Sequence, residues 1–251
     1  YLALLSQKKN AITQTSINKL SFFQASTIFC LAVLTFHGVL SIFSFWQADY
    51  LFVKGKVLMQ AGDYQDSIGY LQRAILLSPN EALFYDELAN SYALVAVEYL
   101  QADDLESAQE FADLAIATSD KTIELNPKHL NFLQTRVSIF SKLALIKIDN
   151  LEKAHQTVLQ AQKLAPTHPK LVYHQGRIEL SMGKKDQAVD TILQAIKMKP
   201  NYHEARYRLG QIYEEDPKNC LQAKEQYQYI LDKIIPGDQH LIDKLTQLDC
   251  C

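Results

Sequence analysis

The chain changes character near residue 48, from an uninterrupted apolar segment to one in which hydrophobic and polar residues follow a helical period. No charged residue occurs between Leu20 and Ala48, and Thr27–Trp46 is a run of twenty mostly apolar positions. As an α-helix, that run is about 30 Å long, which is enough to cross a bilayer. We therefore predict a transmembrane helix over residues 20–47. The alternative is the buried core helix of a soluble domain.

The residues before this helix are apolar at first and then basic. Tyr1–Ser6 gives way to a polar stretch with three lysines and no acidic residue. Because the chain opens on Tyr1 and not on Met, we expect it to be part of a longer protein. Residues 1–19 would then be the tail of a preceding membrane helix and a short basic loop. Since basic loops favour the cytoplasmic side of a membrane, everything after Trp46 is expected on the extracytoplasmic side.

Two segments more than a hundred residues apart share one spacing of small and turn-forming residues. Pro79 follows Gly55 by 24 residues, and Pro200 follows Gly176 by 24 residues. A second glycine lies seven residues after the first in both segments. This spacing is typical of a helix crossed closely by its partner, a turn, a second helix and a terminating proline. It resembles the tetratricopeptide repeat, which implies an α-solenoid of stacked helix hairpins.

We predict five such hairpins and a closing helix, and hence an all-α fold. The ranges are residues 48–81, 82–129, 130–168, 169–202 and 203–236 for the hairpins, and residues 237–251 for a capping helix and tail. The second hairpin is 48 residues long, so both of its helices are expected to be extended and to meet near Ala102–Asp104. In the fourth hairpin, Ala188 and Ala195 are seven residues apart, which places both on the face that packs against a neighbouring helix.

Composition and charge exclude several classes of function. Hydrophobic residues make up 48% of the chain and charged residues 21%, as expected for a folded protein with a substantial core. Residues 1–48 hold three lysines and no Asp or Glu, which leaves 22 Lys and Arg against 28 Asp and Glu after Ala48, a formal charge of −6. An acidic body of this kind disfavours nucleic-acid binding, which needs clustered basic residues.

No pattern of catalytic or metal-binding residues emerges. His203 and Glu204 begin an HExxH zinc motif, but Tyr207 stands where the second histidine ligand belongs. The four cysteines form no CxxC pair and no Cys/His ligand set, so the sequence indicates neither a zinc site nor a disulfide framework. The GxGxxG, GxxxxGK[ST] and GxSxG motifs do not occur. We therefore expect no cofactor, no metal and no catalytic residue in this chain.

The resemblance to tetratricopeptide repeats implies a groove along the first helices that binds an extended peptide or a partner helix. The positions expected to line it, two on each first helix, are Phe52, Lys56, Asp86, Asn90, Gln134, Ser138, Tyr173, Arg177, Tyr207 and Gln211. The set is mixed in charge and lacks the Lys/Asn/Lys/Arg arrangement with which relatives hold a carboxyl terminus. Tyr173 and Tyr207, one repeat apart, either stack on a ligand side chain or are two amphipathic surface tyrosines.

The junction between the apolar helix and the first repeat suggests a narrower resemblance. Phe45–Gly55 runs from one to the other without a linker. This junction, together with YDELANSYA at Tyr85–Ala93, is similar to bacterial membrane proteins of the O-antigen ligase and polymerase type with C-terminal tetratricopeptide repeats. The resemblance implies the bacterial inner (cytoplasmic) membrane and catalytic residues upstream of this chain, so none is carried over.

Two hypotheses about the parent protein remain open. In the first, the chain is the C-terminal part of a glycan ligase or polymerase, whose repeats recruit a protein partner or position a glycan carrier. In the second, it is a stand-alone membrane-anchored adaptor for envelope assembly, with no enzyme attached.

Overall fold

The computed structural model describes residues 22–248, and every regular element in that range is helical. Eleven α-helices and one short 3₁₀-helix follow one another, with no strand among these residues. The predicted all-α architecture is therefore confirmed. The expected tail of a membrane helix and basic loop, residues 1–19, lies outside the described residues.

The first helix, α1, spans Phe22–Ala61 and is 40 residues long. From Phe23 onward it is long and apolar enough to cross a membrane, with a mean hydropathy of 2.1 over an 18-residue window. None of that window is buried inside the structure. The described part of the chain divides into two units between Gln47 and Ala48, and residues 48–61 of α1 belong to the second unit.

Ten further α-helices complete the second unit. They are α2 (Tyr64–Leu77), α3 (Ala82–Gln101), α4 (Leu105–Leu125), α5 (Leu130–Leu143), α6 (Asn150–Leu164), α7 (Pro169–Ser181), α8 (Lys185–Met198), α9 (His203–Glu214), α10 (Cys220–Lys233) and α11 (Gln239–Gln247), with the 3₁₀ turn Pro217–Asn219 before α10. Residues 48–61 pack on α2, and α3–α4, α5–α6, α7–α8 and α9–α10 form four more hairpins, stacked in chain order. The helices of the second hairpin are 20 and 21 residues long, against 12 to 15 in the hairpins that follow.

Three hairpin turns contain a residue in the left-handed region of backbone space. Gly62 and Gly183 have φ values of 85° and 77°, and Asp103 has a φ of 59° at the corresponding place in the second hairpin. Glycine adopts this conformation without a steric penalty, and aspartate tolerates it better than most residues. Asp104 follows directly and caps α4, because its carboxylate accepts a hydrogen bond from the backbone N–H of Ser107 at 3.1 Å.

The second helices of the first four hairpins share the same kind of C-terminal end. Each is followed by a residue that precedes a proline, and the φ values of these residues lie between −148° and −135°. The residues are Ser78, Asn126, Ala165 and Lys199. Because proline disfavours helical backbone in the residue before it, the helix stops there and the chain turns into the next hairpin.

The core of the second unit runs between the helices of the hairpins. Ala188 and Ala195 are fully buried at a helix crossing, as their spacing predicts. At the C-terminal end, α11 closes the core by packing Leu241 against Tyr227 of α10. Cys220, at the start of α10, is disulfide-bonded. The cysteine spacing did not indicate this bond, because a disulfide needs proximity in space and no particular spacing in sequence.

Candidate functional site

The candidate groove is the surface formed by the first helix of each hairpin, namely residues 48–61, α3, α5, α7 and α9. Two side-chain hydrogen bonds join α3 to α5 there. Oγ1 of Thr135 donates to Oδ2 of Asp86 at 3.0 Å, and Nζ of Lys142 donates to Oδ1 of Asn90 at 3.0 Å. The same ammonium donates to Oγ of Ser138 at 3.1 Å. The structure thus gathers three of the expected groove residues, Asp86, Asn90 and Ser138, on two adjacent helices.

The carboxyl of Asp86 is electrostatically unusual. Burial raises its pKa to about 7, the hydrogen bond from Thr135 lowers it in part, and the charge of Glu87 raises it further. Burial also raises the pKa of Glu87, and the charge of Lys56 opposes that shift. Near neutral pH, Asp86 is therefore a mixture of acid and carboxylate, and the charge of this part of the groove changes with small changes of pH.

A cavity of about 360 Å³, lined by both polar and apolar side chains, opens between α5 and α7. Its polar lining consists of Ser138, Ser141, Lys142, His174, Arg177 and Ser181, and no carboxylate is among its lining residues. Burial lowers the pKa of His174 to about 4, and the positive charges of Arg177, Lys170 and His168 add to the shift. At neutral pH the imidazole is therefore uncharged, and Lys142 and Arg177 supply the charge of the cavity.

The ten expected groove residues differ widely in exposure. Phe52 and Tyr173 are buried: Phe52 stacks on Phe84 with ring centroids 4.9 Å apart, and Tyr173 meets Tyr202 edge-on at 5.2 Å. Both side chains are therefore part of the core. The remaining eight are at least partly accessible, with Lys56, Ser138 and Arg177 exposed and Asp86, Asn90, Gln134, Tyr207 and Gln211 half-buried.

Tyr207 is held by the closing helix. Its hydroxyl lies 3.1 Å from Nε2 of His240 on α11, and its ring centroid is 5.7 Å from that of Tyr227. Tyr173 has its own aromatic neighbour in Tyr202, which precedes α9. The suggestion that Tyr173 and Tyr207 together stack on a ligand stays a prediction.

Sequence reasoning missed Thr135 and Lys142, which hold α5 to α3. The signal was present, because Lys142 lies four residues after Ser138, on the same face of one helix. The repeat pattern indicates only two groove positions on each first helix, and neither residue occupies one of them.

Within the described range, the chain has no group of three His, Cys, Asp or Glu side chains that could hold a metal ion. His203 and Glu204 of the incomplete HExxH motif contact each other at 3.1 Å on the surface, as adjacent residues. Cys30 is an exposed free cysteine. The groove helices present hydrogen-bonding and charged side chains, among them Asp86, Asn90 and Lys142.

Comparison with known proteins identifies the repeats. Two sequence models of the tetratricopeptide repeat match the chain, at residues 48–81 and 173–238. The first match coincides with the first predicted hairpin, and the second covers most of the fourth and fifth. No curated protein matches the chain.

Solved structures of other repeat proteins share the fold at low sequence identity. A thermophilic tetratricopeptide-repeat protein of Thermus thermophilus is 18% identical, with a TM-score of 0.57 over 80% of this chain and 98% of that one. The pilF protein of Pseudomonas aeruginosa is 15% identical, with a TM-score of 0.57 over 80% of this chain and 86% of that one. MamA of Desulfovibrio magneticus is 14% identical, with a TM-score of 0.54 over 76% of this chain and 97% of that one. At these identities the likeness establishes the tetratricopeptide-type solenoid.

Proposed function

We propose that this tetratricopeptide-repeat chain is a membrane-tethered scaffold that binds an extended segment of a partner protein along its groove. The main observation is a row of accessible polar and charged side chains on consecutive first helices, from the half-buried Asp86 and Asn90 to the exposed Ser138 and Arg177. Extended peptides bind such surfaces through polar groups spaced along them. The hydrogen-bonding and charged side chains of the groove suit recognition of such a segment.

Photo-crosslinking tests this binding. The full chain is expressed in bacteria, and two variants carry a photoreactive phenylalanine analogue. One has it in place of Ser138 in the groove, and the other in place of Glu110, an exposed residue of α4. We expect a discrete protein adduct from Ser138, which a groove-filling Gln134→Trp substitution removes, and none from Glu110. Equal adducts at both positions, or none at either, would count against a binding groove.

We propose that α1 is the membrane tether. Its apolar window is exposed along its whole length, and exposed apolar surface of that extent is stable in a bilayer and unfavourable in water. Carbonate extraction of membranes tests the tether: the full chain should remain in the pellet, and a variant with charged residues in place of Leu34 and Val39 should be released.

We further propose that the repeats lie on the extracytoplasmic side of the bacterial inner membrane. The three lysines of residues 1–19 support this orientation. The disulfide at Cys220 supports it as well, because disulfides persist in oxidising compartments. Protease added to spheroplasts should cleave the repeats while a cytoplasmic marker stays intact. Repeats that are cut only after the membrane is opened would reverse the orientation.

For the parent protein, we propose an O-antigen ligase or polymerase-like membrane protein, on the resemblance carried by Phe45–Gly55 and Tyr85–Ala93. The stand-alone adaptor is the alternative. Reading the gene upstream of Tyr1 separates the two. A series of further hydrophobic spans supports the enzyme, and an initiator Met within a few dozen residues supports the adaptor.

A further inference from the structure

The cavity between α5 and α7 combines two cations with no carboxylate. Lys142 and Arg177 both line it, and the other lining side chains are neutral. Of the 22 Lys and Arg residues between residues 22 and 248, five lie within 4.0 Å of a carboxylate, and these are Lys121, Arg136, Lys147, Lys185 and Lys244. Lys142 and Arg177 take part in no such ion pair within residues 22–248.

Lys142 is the more unusual of the two cations because it is half-buried. Its ammonium donates to the neutral oxygens of Asn90 and Ser138, at 3.0 and 3.1 Å, and burial lowers its pKa. A partly desolvated cation is stabilised by an anion placed beside it more than an exposed one is. Asp86 is bonded to Thr135, two helical turns before Lys142 on α5, and does not line the cavity.

Arg177 and Ser138 supply the remaining recognition groups. Arg177 is exposed, with its guanidinium carbon 5.9 Å from the ring centroid of Tyr173, which supports the side chain at the mouth of the cavity. The hydroxyl of Ser138 accepts from Lys142, so its own hydrogen is available to donate. Residues that carry an ammonium, a guanidinium and a hydroxyl donor thus line one space of about 360 Å³.

We propose that this cavity receives the side-chain carboxylate of an Asp or Glu in the partner segment, held between Lys142 and Arg177. The proposal rests on the proposed function and adds the chemistry of one position of the partner. A carboxylate suits the site better than a phosphate dianion, because phosphate recognition generally uses a cluster of arginines and this cavity has one. The formal charge of −6 after Ala48 adds specificity, since acidic segments are disfavoured elsewhere on the body.

A peptide selection tests the proposal on the full chain in detergent micelles. A phage library of random twelve-residue peptides is selected on the wild type and on a Lys142→Gln/Arg177→Gln variant. We expect the wild-type peptides to carry Asp or Glu at one fixed position, at several times the library frequency, and the variant peptides to lose this preference. Wild-type peptides with no acidic preference would overturn the carboxylate site and leave the groove intact. A failure to select any peptide would overturn the proposed function as well.

The strongest acidic peptide then serves as a fluorescent probe for the single variants. Lys142→Gln and Arg177→Gln should each raise its dissociation constant at least tenfold, and Lys147→Gln, an exposed lysine outside the cavity, should leave it within twofold. A matched peptide with Gln or Asn in place of the acid should bind the wild type and both variants equally weakly. Variants that weaken the acidic and amide peptides by the same factor would overturn the proposal. Tighter binding of a phosphoserine version would assign the cavity to phosphate instead.

Arg177→Gln keeps the test decisive if Lys142→Gln perturbs the fold, because Arg177 is exposed and its replacement leaves the core intact. The thermal melts of both variants are recorded beside the binding curves. An Arg177→Gln protein that melts as the wild type does and still binds the acidic peptide at full strength would also overturn the proposal.

Discussion

Gly176 of α7 lies so close to Ile192 of α8 that a Cβ on Gly176 would be 2.7 Å from Cγ1 of Ile192 and 3.2 Å from the backbone oxygen of Ala188. Alanine favours a helix over glycine by about 1 kcal/mol where nothing opposes it. Here we expect the opposite sign: Gly176→Ala should lower the free energy of unfolding by about 1–3 kcal/mol, because the two helices must move apart. Chemical denaturation followed by circular dichroism measures the change.

Gly69 provides the matched control, because it lies within α2 and a Cβ there would meet no atom within 4 Å. Gly69→Ala should raise the free energy of unfolding by about 0.5–1 kcal/mol. If Gly176→Ala were as stable as Gly69→Ala, the close crossing of α7 and α8 would not hold in solution.

The helix hairpins could be predicted from sequence because their signals are local and recur. Two hairpins turn at a glycine in the left-handed region, so Gly62 and Gly183 repeat in register. The second helices of the first four hairpins stop before a proline for a similar reason of backbone geometry. Asp103 adopts the same left-handed conformation, but an aspartate does not mark a turn in the sequence as clearly as a glycine does. The turn of the second hairpin, predicted near Ala102–Asp104, follows instead from the length of that hairpin and from the residues at its two ends.

The contents of the groove were harder to predict, because they depend on which side chains meet across different helices. Asp86 and Thr135 are 49 positions apart in the chain, and no periodic pattern links them. Burial also divides residues that look alike in sequence: Tyr173 lies in the core, whereas Tyr207 is half-buried against α11. The repeat pattern identifies the face of the helix, and packing decides which side chains remain accessible on it.

Glu214 joins the closing helix to the last hairpin. It accepts a hydrogen bond from the hydroxyl of Tyr227 at 2.8 Å and pairs with Nζ of Lys244 on α11 at 2.9 Å. Because Tyr227 is fully buried, Glu214→Ala leaves its hydroxyl without this acceptor and should cost about 1–3 kcal/mol of stability. Tyr227→Phe removes the donor and should cost about 1 kcal/mol. Urea denaturation of the single and double variants gives the coupling between them.

The double variant should be less destabilised than the sum of the two single variants, since the buried hydroxyl is then gone. Glu215→Ala is the control, because Glu215 is the neighbouring acid and pairs with Lys185 on the surface. It should change the stability by less than about 1 kcal/mol. Additive single variants would mean that Glu214 and Tyr227 do not interact.

Asp86 makes the stability of the repeats depend on pH. Its pKa in the fold is about 7, above the ordinary value of 3.8, so the folded state holds the proton more tightly than the unfolded state does. The contribution of Asp86 to the free energy of unfolding is therefore most favourable below pH 4, and it declines as the pH rises towards 7 and above. Asp86→Asn removes the charge, and its advantage over the wild type should grow by up to about 2 kcal/mol between pH 5 and pH 8. Melts across that range measure it.

Thr135→Val sharpens the test, because the hydrogen bond from Thr135 favours the charged form of Asp86. Without that bond the pKa of Asp86 should rise further, and the loss of stability from pH 5 to pH 8 should be steeper than in the wild type. Parallel pH curves for the wild type and Asp86→Asn would show that Asp86 is solvated in the folded protein.

Tyr173 and Arg177, both expected in the groove, should separate into a folding residue and a binding residue. Tyr173 is buried against Tyr202, so Tyr173→Ala should lower the free energy of unfolding by about 3 kcal/mol, whereas Tyr173→Phe keeps the ring and should cost less than about 1.5 kcal/mol. Arg177 is exposed and only rests on that ring, so Arg177→Ala should cost at most about 1 kcal/mol. Thermal melts and capture of the crosslinked partner are measured on the same preparations. If Arg177→Ala reduced the melting temperature and the capture in proportion, its role in the groove would be structural, and recognition would have to depend on other residues of α5 and α7.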